Sequence, residues 1–479
     1  MNVLKDIIKW SNYKPKGGLK GELYNLVEKR NYDSNEVKDH FKSIGKLNQL
    51  PAVNMRLKES LLGAVLTMPL YTVKKSVRNR IRLLRKELQA RVLLYIGSRV
   101  AGTKLAIDTI VVAEQNEEFE IVHRLCRELI NQFSNSQPDA AKYRKYRLKI
   151  DIMEGYIQDE LKVEKVYRDI AHHNHTKKSV GHFSEAIKEF DKIQDTNTNF
   201  KFNFFLYSLK NVYYQLTNDP KNLIINNKAA YAFFEALQLD VHYITKLNFI
   251  SALVPYYIIN KQYGQAETTI NTCLEMPIKG SYNWHRILIY QSILGFYSGK
   301  PKMSLRAYKL AHALQKKFKN EKIAEYWHLI SGYLALFKKL NGEKENLDQN
   351  SYQPFKLRKY LNIKEEKRND VQKANLIILE LLHLLVDDKH SEYLEKLGRV
   401  EGFIQSRFKA HQFKRTRYFL RLLKSVVKGN YHVPLVEAHG KRQLKNLAAT
   451  RKDLTIETID LEIVPYELLW DIVINRLRR

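Results

Sequence analysis

Apolar residues recur at helical spacing along nearly the whole chain and period-two alternation is rare, so the predicted elements are helices. Val77, Ile81, Leu84, Leu88, Val92 and Tyr95 follow one another at intervals of three and four, while Arg78, Arg82, Arg85 and Lys86 cover the adjoining face. This pattern predicts an amphipathic helix of about 20 residues. A break with Gly97 and Gly102 follows, and then two further helices over 104–113 and 117–133. Helices joined by such short breaks pack antiparallel to their neighbours, so the region reads as a run of helical hairpins.

A longer period lies over the helical one. A small residue, a bulky one at +4 and a small or medium one at +7 occur as Ala106, Ile110, Ala113; Ala186, Phe190, Ile193; Ala229, Phe233, Ala236; Ala266, Ile270, Cys273; and Ser304, Tyr308, Ala311. Their first members lie 80, 43, 37 and 38 residues apart. With one hairpin intervening in the first gap, this is a degenerate tandem repeat of about 40 residues. The small residue lets a second helix approach the first closely, and the bulky one fills the groove a turn later. Gly181 and Gly299 sit five residues before Ala186 and Ser304, where a turn between paired helices calls for a backbone without Cβ.

At these positions the chain resembles the tetratricopeptide repeat (TPR) family, whose units carry the same Gly, Ala, aromatic and Ala places. The family's early Trp and Leu-Gly pair are mostly missing, its closing Pro is represented by Pro277 one place off, and the repeats are longer than the family's. More closely, the chain looks like a group of TPR-like proteins of Bacteroidetes bacteria. The segments that carry this are Leu83 to Ile130, Gly181 to Pro277, Lys356 to Leu385 and the tail from Leu461 to Ile472. The resemblance implies an α-helical superhelix and supplies no activity.

Composition shifts divide the chain into an N-terminal helical lead-in over 1–76, a TPR-like array over 77–340, further helical hairpins over 354–428, and an irregular C-terminal segment with a capping helix over 429–479. Asn341 to Gln353 is polar and charged and reads as a link between sub-arrays. Pro465 is placed to start the closing helix, with Leu468, Leu469, Ile472 and Val473 as its apolar face.

The 479 residues include 81 Lys and Arg against 51 Asp and Glu, a formal charge of +30, with 11% aromatics and only 19 Gly and 11 Pro. That aromatic content is too high for a disordered chain, and the scarcity of Gly and Pro argues against turn-rich all-β folds. The charge is unevenly spread. Residues 51–100 and residues 401–450 each carry 11 basic and 2 acidic side chains, whereas residues 151–200 carry 7 and 10. Local basic surfaces of this kind attract polyanions, whether nucleic acid, anionic membrane or acidic protein. The longest uncharged apolar run, Leu61 to Val73, contains Pro69 and is too short for a membrane span. Met1 to Trp10, with Lys5, Asp6 and Lys9, lacks the continuous apolar core of a secretion signal. Two distant cysteines, Cys126 and Cys273, make no disulfide framework. The expectation is a soluble cytoplasmic protein.

Candidate chemistry is sparse. His172, His173, His175 and His182, with Asp169, form the one dense group of potential metal ligands, but no HExxH or CxxC element supports it, and a polar inter-helix loop is the favoured reading. The stretch from Lys16 to Lys20 lacks the strand and spacing of a phosphate-binding loop. The pairs Glu117–Glu118, Glu365–Glu366 and Asp387–Asp388 are adjacent in sequence, so their members diverge on a helix and do not share a proton. No nucleophile elbow is present, and no cofactor is expected.

The two basic rows are the functional candidates. His411, Lys414, Arg417, Arg421, Lys424 and Lys428 step by three and four along a helix expected from Arg407 to Lys428, beside Phe413, Leu420, Leu423 and Val427. Lys75, Arg78, Arg82, Arg85 and Lys86 form the other row. Uncompensated like charges at i, i+4 weaken a helix by tenths of a kcal/mol, a cost that an opposing anion removes. Arginine suits bidentate carboxylate or phosphate contacts. The resulting expectation is an all-α, right-handed α-α superhelix, a TPR-like α-solenoid. It would act as a non-catalytic scaffold for a protein partner with an acidic surface or peptide, using Tyr257 and Trp284 as aromatic anchors. The alternative is a nucleic-acid-binding α-solenoid whose two rows track phosphates. A third reading is a regulatory subunit that holds an enzyme or transcription factor. The sequence leaves the oligomeric state open.

Overall fold

The structure, a computed structural model, describes residues 4, 7–8, 13–28, 34–70, 75–136, 138–173, 181–239, 241–315, 320–341, 370–408, 410–451 and 459–478. Among the described residues every regular element is a helix and no strand occurs. The link expected from Asn341 to Gln353 begins on the last residue of a helix, and the rest of it, like the Glu365–Glu366 pair, lies outside the described residues.

The chain divides into two compact units. The first, Met1–Lys165 with Ile193–Phe202, contains α1 (Gly18–Glu28), α2 (Ser34–Ser43), α3 (Leu50–Thr67), α4 (Lys75–Tyr95), α5 (Arg99–Gln115), α6 (Phe119–Asn131) and the greater part of α7 (Ala140–His173). It has two apolar clusters. Leu23, Val27, Phe41, Leu57 and Leu61 join α1 to α3, and Leu83, Ala106, Ile110, Leu125 and Met153 join α4 to α7.

The second unit, Val166–Lys192 with Asn203–Arg479, runs on through α8 (Gly181–Gln194), α9 (Phe200–Leu216), α10 (Pro220–Ala236), α11 (Tyr243–Ser251), α12 (Leu253–Ile259) and α13 (Tyr263–Glu275). It continues with α14 (Tyr282–Tyr297), α15 (Pro301–Gln315), α16 (Glu321–Asn341), α17 (Asp370–Val386), α18 (His390–Ser406), α19 (Lys414–Lys428), α20 (Val433–Ala449) and α21 (Tyr466–Leu477). The stretch expected to be irregular after 429 is thus the helix α20, which has a Pro in its first turn and buries Val436 and Leu447. One continuous core runs from Ile224 to Ile474.

The hairpins share a turn. At Gly97, Glu117, Asn218, Lys261, Gly299, Asp388 and Asn430 the backbone takes a left-handed φ between 48° and 88°. The residue after each donates its N–H back across the helix end, as Asp219 N to Tyr214 O, Gln262 N to Tyr257 O, Lys300 N to Gly295 O and Lys389 N to Leu384 O, at 2.8 to 2.9 Å. This bond is the Schellman closure, which satisfies a carbonyl that the ending helix leaves unpaired. In all but the last case the next helix starts two residues beyond the left-handed position. Of the two glycines expected at such turns, Gly299 is one of them, with φ +68°. Gly181 instead opens α8 as a helical residue.

Close helix approach depends on small residues, as the spacing predicts, in three of the five series; in α8 Ala186 and Ile193 are half-buried beside buried Ile187 and Phe190. Ala106, Ile110 and Ala113 are buried, as are Ala266, Ile270 and Cys273. Ser304 is buried where α15 crosses Gly295 of α14, and a Cβ at Gly295 would come within 2.8 Å of the Ser304 backbone nitrogen. In α10, however, Ala230 and Phe234 are buried, while Ala229 and Ala236 are exposed. The neighbouring Asn226 and Asn227 explain the difference. Both are buried and hydrogen-bonded to Asn211 of α9 at 2.8 to 3.0 Å, which rotates α10 by one position.

Candidate binding surface

The row on α4 belongs to the first unit and that on α19 to the second, and each stands on its own geometry. The core side of α4 is Leu83, Glu87, Ala90 and Leu94, all buried. Gly102 of α5 faces Leu94 so closely that a Cβ there would lie 2.8 Å from the Leu94 Cγ. Glu87 accepts both Nε and Nη2 of Arg124 from α6, at 2.6 and 3.0 Å. That hydrogen bond raises the Arg124 pKa, and the two-pronged contact clamps α4 to α6.

On one flank of α4 the cations are already matched. Arg80 pairs with Glu118 at 3.4 Å and Arg91 with Glu128 at 3.2 Å. The Tyr95 hydroxyl donates to Glu128 at 2.8 Å and accepts from Arg91 at 3.0 Å. The other flank carries Arg78 and Arg85, half-buried, with Arg82, exposed, and Lys86, half-buried, farther round the helix. Arg85 donates to the Val65 carbonyl at the end of α3, at 3.2 Å. The Lys75 side chain lies outside the described residues.

Between these flanks runs the stripe that an amphipathic helix ordinarily buries, and here it faces outward. Val77, Leu84, Leu88 and Val92 are 43 to 48% exposed and Tyr95 is 64% exposed, with Ile81 half-buried. The helix has two apolar stripes at three-four spacing, and the one containing Ala90 faces the core because its small side chain and Gly102 let α5 approach. The sequence held the signal for this in the parallel series 83, 87, 90 and 94, which the stronger stripe obscured.

On α19 the row is present in a modified form. The expected helix from Arg407 is broken: α18 ends at Ser406, Arg407 pairs with Asp370 at 3.6 Å, and His411 opens a short 3-10 turn, His411–Phe413, before α19 begins. His411 is therefore exposed on a turn rather than in line with the row. Arg417 donates to the carbonyls of Phe408 and Ala410, tying down that turn, and Lys414 is half-buried. Arg421, Lys424 and Lys428 remain exposed on one face. Glu401 of α18 accepts from Lys424 at 2.9 Å, and that bond, with the charges of Lys424, Arg421 and Lys428, holds its carboxyl below the ordinary range. One carboxylate thus serves three cations, and the face keeps a net positive charge. Arg415, beside the row, turns inward and is buried against Glu462, Glu467 and the Leu447 carbonyl.

The other candidates have structural roles or lie elsewhere. His172 and His182 are exposed, the His182 ring packs on Phe183, and His173 (side chain) and His175 lie outside the described residues. No group of three or more His, Cys, Asp or Glu among the described residues could hold a metal ion. Burial pushes the Cys126 and Cys273 thiols up to about 12, which leaves them un-ionised at neutral pH. Glu117 accepts from the Phe200 N–H at 2.5 Å, Glu118 serves Arg80, Asp387 serves Lys339 at 2.6 Å, and Asp388 serves Arg476. Tyr257 and Trp284, expected as anchors in a groove, are buried core residues. No helix among the described residues is long and apolar enough to cross a membrane.

Set against known proteins, the chain matches no family model, no curated protein and no solved structure.

Proposed function

We propose that the protein is a non-catalytic binding scaffold, a right-handed superhelix of TPR-like hairpins that holds an acidic protein partner on basic helix faces in the cytoplasm. The recurring turn carries the reading. In the second unit its left-handed positions at 218, 261, 299, 388 and 430 are 43, 38, 89 and 42 residues apart, a spacing of about 40 with the interval from 299 to 388 spanning two periods. Stacked hairpins of that kind bury one continuous core and leave long helix faces available to a partner. Arg421, Lys424 and Lys428, opposed by Glu401 alone among the described acids that shift with them, supply the charge.

A second reading, an α-solenoid that tracks nucleic-acid phosphates, is favoured by the step of three and four residues between those same cations. Filter binding to mixed RNA and DNA at two salt concentrations separates the two. Nucleic-acid binding predicts retention that falls steeply with salt, by roughly 0.7 to 0.9 in log K per log salt for each phosphate neutralised. The scaffold reading predicts weak retention that Arg421→Glu, Lys424→Glu and Lys428→Glu leave with no sequence or structure preference to lose. Tight, salt-steep binding abolished by those substitutions would overturn it.

A further inference from the structure

The outward stripe of α4 belongs to no core cluster. Val77, Leu84, Leu88, Val92 and Tyr95 are all more than 40% exposed, at intervals of seven, four, four and three, with Ile81 completing the three-four series. The stripe extends about 27 Å along the helix at 1.5 Å per residue and lies roughly 120° around it from the buried side. Ile96, 72% exposed, prolongs it into the turn before α5, and Val100, 77% exposed, lies in the first turn of α5. A contiguous apolar strip of this length on a folded surface marks a contact site.

Its shape and borders specify what covers it. A lipid surface wants a broad apolar face with cations on both sides, and here the strip is narrow and one border presents Glu118 and Glu128 beside Arg80 and Arg91. A second copy of α4 would bring the arginines of both helices together. A three-four strip with charged borders is the seam by which one helix receives another. On the other border Arg85, with Arg82 one turn back and farther round, calls for carboxylates along one edge of the incoming helix. Tyr95, its hydroxyl held by Arg91 and Glu128, offers a fixed ring at the end of the seam.

We propose that α4 is the docking seam for an acidic amphipathic helix of a partner protein, packed on Val77, Ile81, Leu84, Leu88 and Tyr95 with its carboxylates toward Arg85 and Arg82. The proposal rests on the scaffold reading and gives the partner a chemistry. Two synthetic helices of about three heptads test it with the full-length chain, both with Leu and Ile on the seam, one with Glu and one with Lys at the flanking positions, read by fluorescence anisotropy. The Glu helix binds, the Lys helix binds at least about tenfold more weakly, and Leu84→Asp with Leu88→Asp weakens the Glu helix about tenfold or more with an unchanged thermal melt. Arg82→Glu with Arg85→Gln narrows the difference between the two helices. Leu84→Gln with Leu88→Gln, milder on an exposed face, provides the same reading if the aspartates alter the melt. No binding of the Glu helix, equal binding of both, or indifference to Leu84 and Leu88 overturns the proposal. So does Leu84-dependent sedimentation with phosphatidylserine vesicles, or Leu84-dependent dimerisation. A protein partner that co-purifies equally with the wild type and the Leu84→Asp, Leu88→Asp variant would overturn the seam and leave the scaffold reading standing.

Discussion

Arg415 and Glu462 meet as a fork, with Nε to Oε2 at 2.8 Å and Nη2 to Oε1 at 2.9 Å, and the two side chains are only 6 and 2% exposed. The pair sits 47 residues apart in sequence and fastens α19 to the chain leading into α21. Glu467 and the Leu447 carbonyl take two of the other three donors, and the Tyr297 hydroxyl donates to the Glu462 carbonyl at 2.9 Å. The Phe419 and Tyr466 rings stack beside it at 4.6 Å. Removing one partner of a buried pair leaves an uncompensated charge, so Glu462→Ala is expected to cost about 3 to 5 kcal/mol. Arg415→Met combined with Glu462→Leu should cost much less than the sum of the single changes. Urea denaturation of the three variants checks both statements.

The approach of α14 to α15 allows no Cβ at Gly295. Gly295→Ala would press on Ser304, whose Oγ donates to the Ser292 carbonyl at 2.6 Å, and should destabilise by about 1 to 3 kcal/mol. Gly264 in α13 has open space where a Cβ would go, and Gly264→Ala should stabilise by about 0.4 to 1 kcal/mol through the unfolded chain. Opposite signs in thermal melts are the expected result.

Lys261 carries the left-handed turn with φ +58° and an exposed side chain. Lys261→Gly should stabilise by up to about 1 kcal/mol, because glycine adopts this conformation without Cβ strain. Lys261→Val should destabilise, since a β-branched side chain tolerates it least. Differential scanning calorimetry of the pair tests whether the turn is a strained position.

Glu160 of α7 is buried, and burial raises its pKa to about 7 despite Lys201 at 3.5 Å. Its Oε1 accepts no hydrogen bond from the described residues. Because the folded pKa lies above the unfolded one, the proton favours the folded state. Its stabilising contribution is complete below about pH 4.5 and is lost as the pH rises through 7. Glu160→Gln should remove this decline and exceed the wild type by on the order of 1 to 2 kcal/mol at pH 8. Melts at pH 5 and pH 8 for both proteins give the comparison.

Helical periodicity revealed most of the secondary structure because each helix has an apolar face, and that requirement is local. The choice between two apolar faces on α4 is not local. It depends on Gly102 in the next helix and on Arg124 in the one after, so the sequence marks the stripe but leaves its direction undetermined. The same holds for the turns. Gly299 stands out as a glycine, while Glu117, Asn218, Lys261 and Asp388 take the same conformation without a common residue type, since the Schellman bond, and not the side chain, defines the place. On α19 the charge row was legible from spacing, but Arg417 serves carbonyls of the preceding turn and Arg415 serves the tail, and both partners are set only by tertiary packing.

The scaffold reading is tested most directly by affinity purification of the tagged full-length chain after nuclease treatment, with the mass of the intact complex read by native mass spectrometry. The expected result is a stoichiometric complex with one protein partner that nuclease leaves intact and that Arg421→Glu, Lys424→Glu and Lys428→Glu weaken without changing the melt. Recovery of nucleic acid alone, or of a partner lost on nuclease treatment, would contradict it.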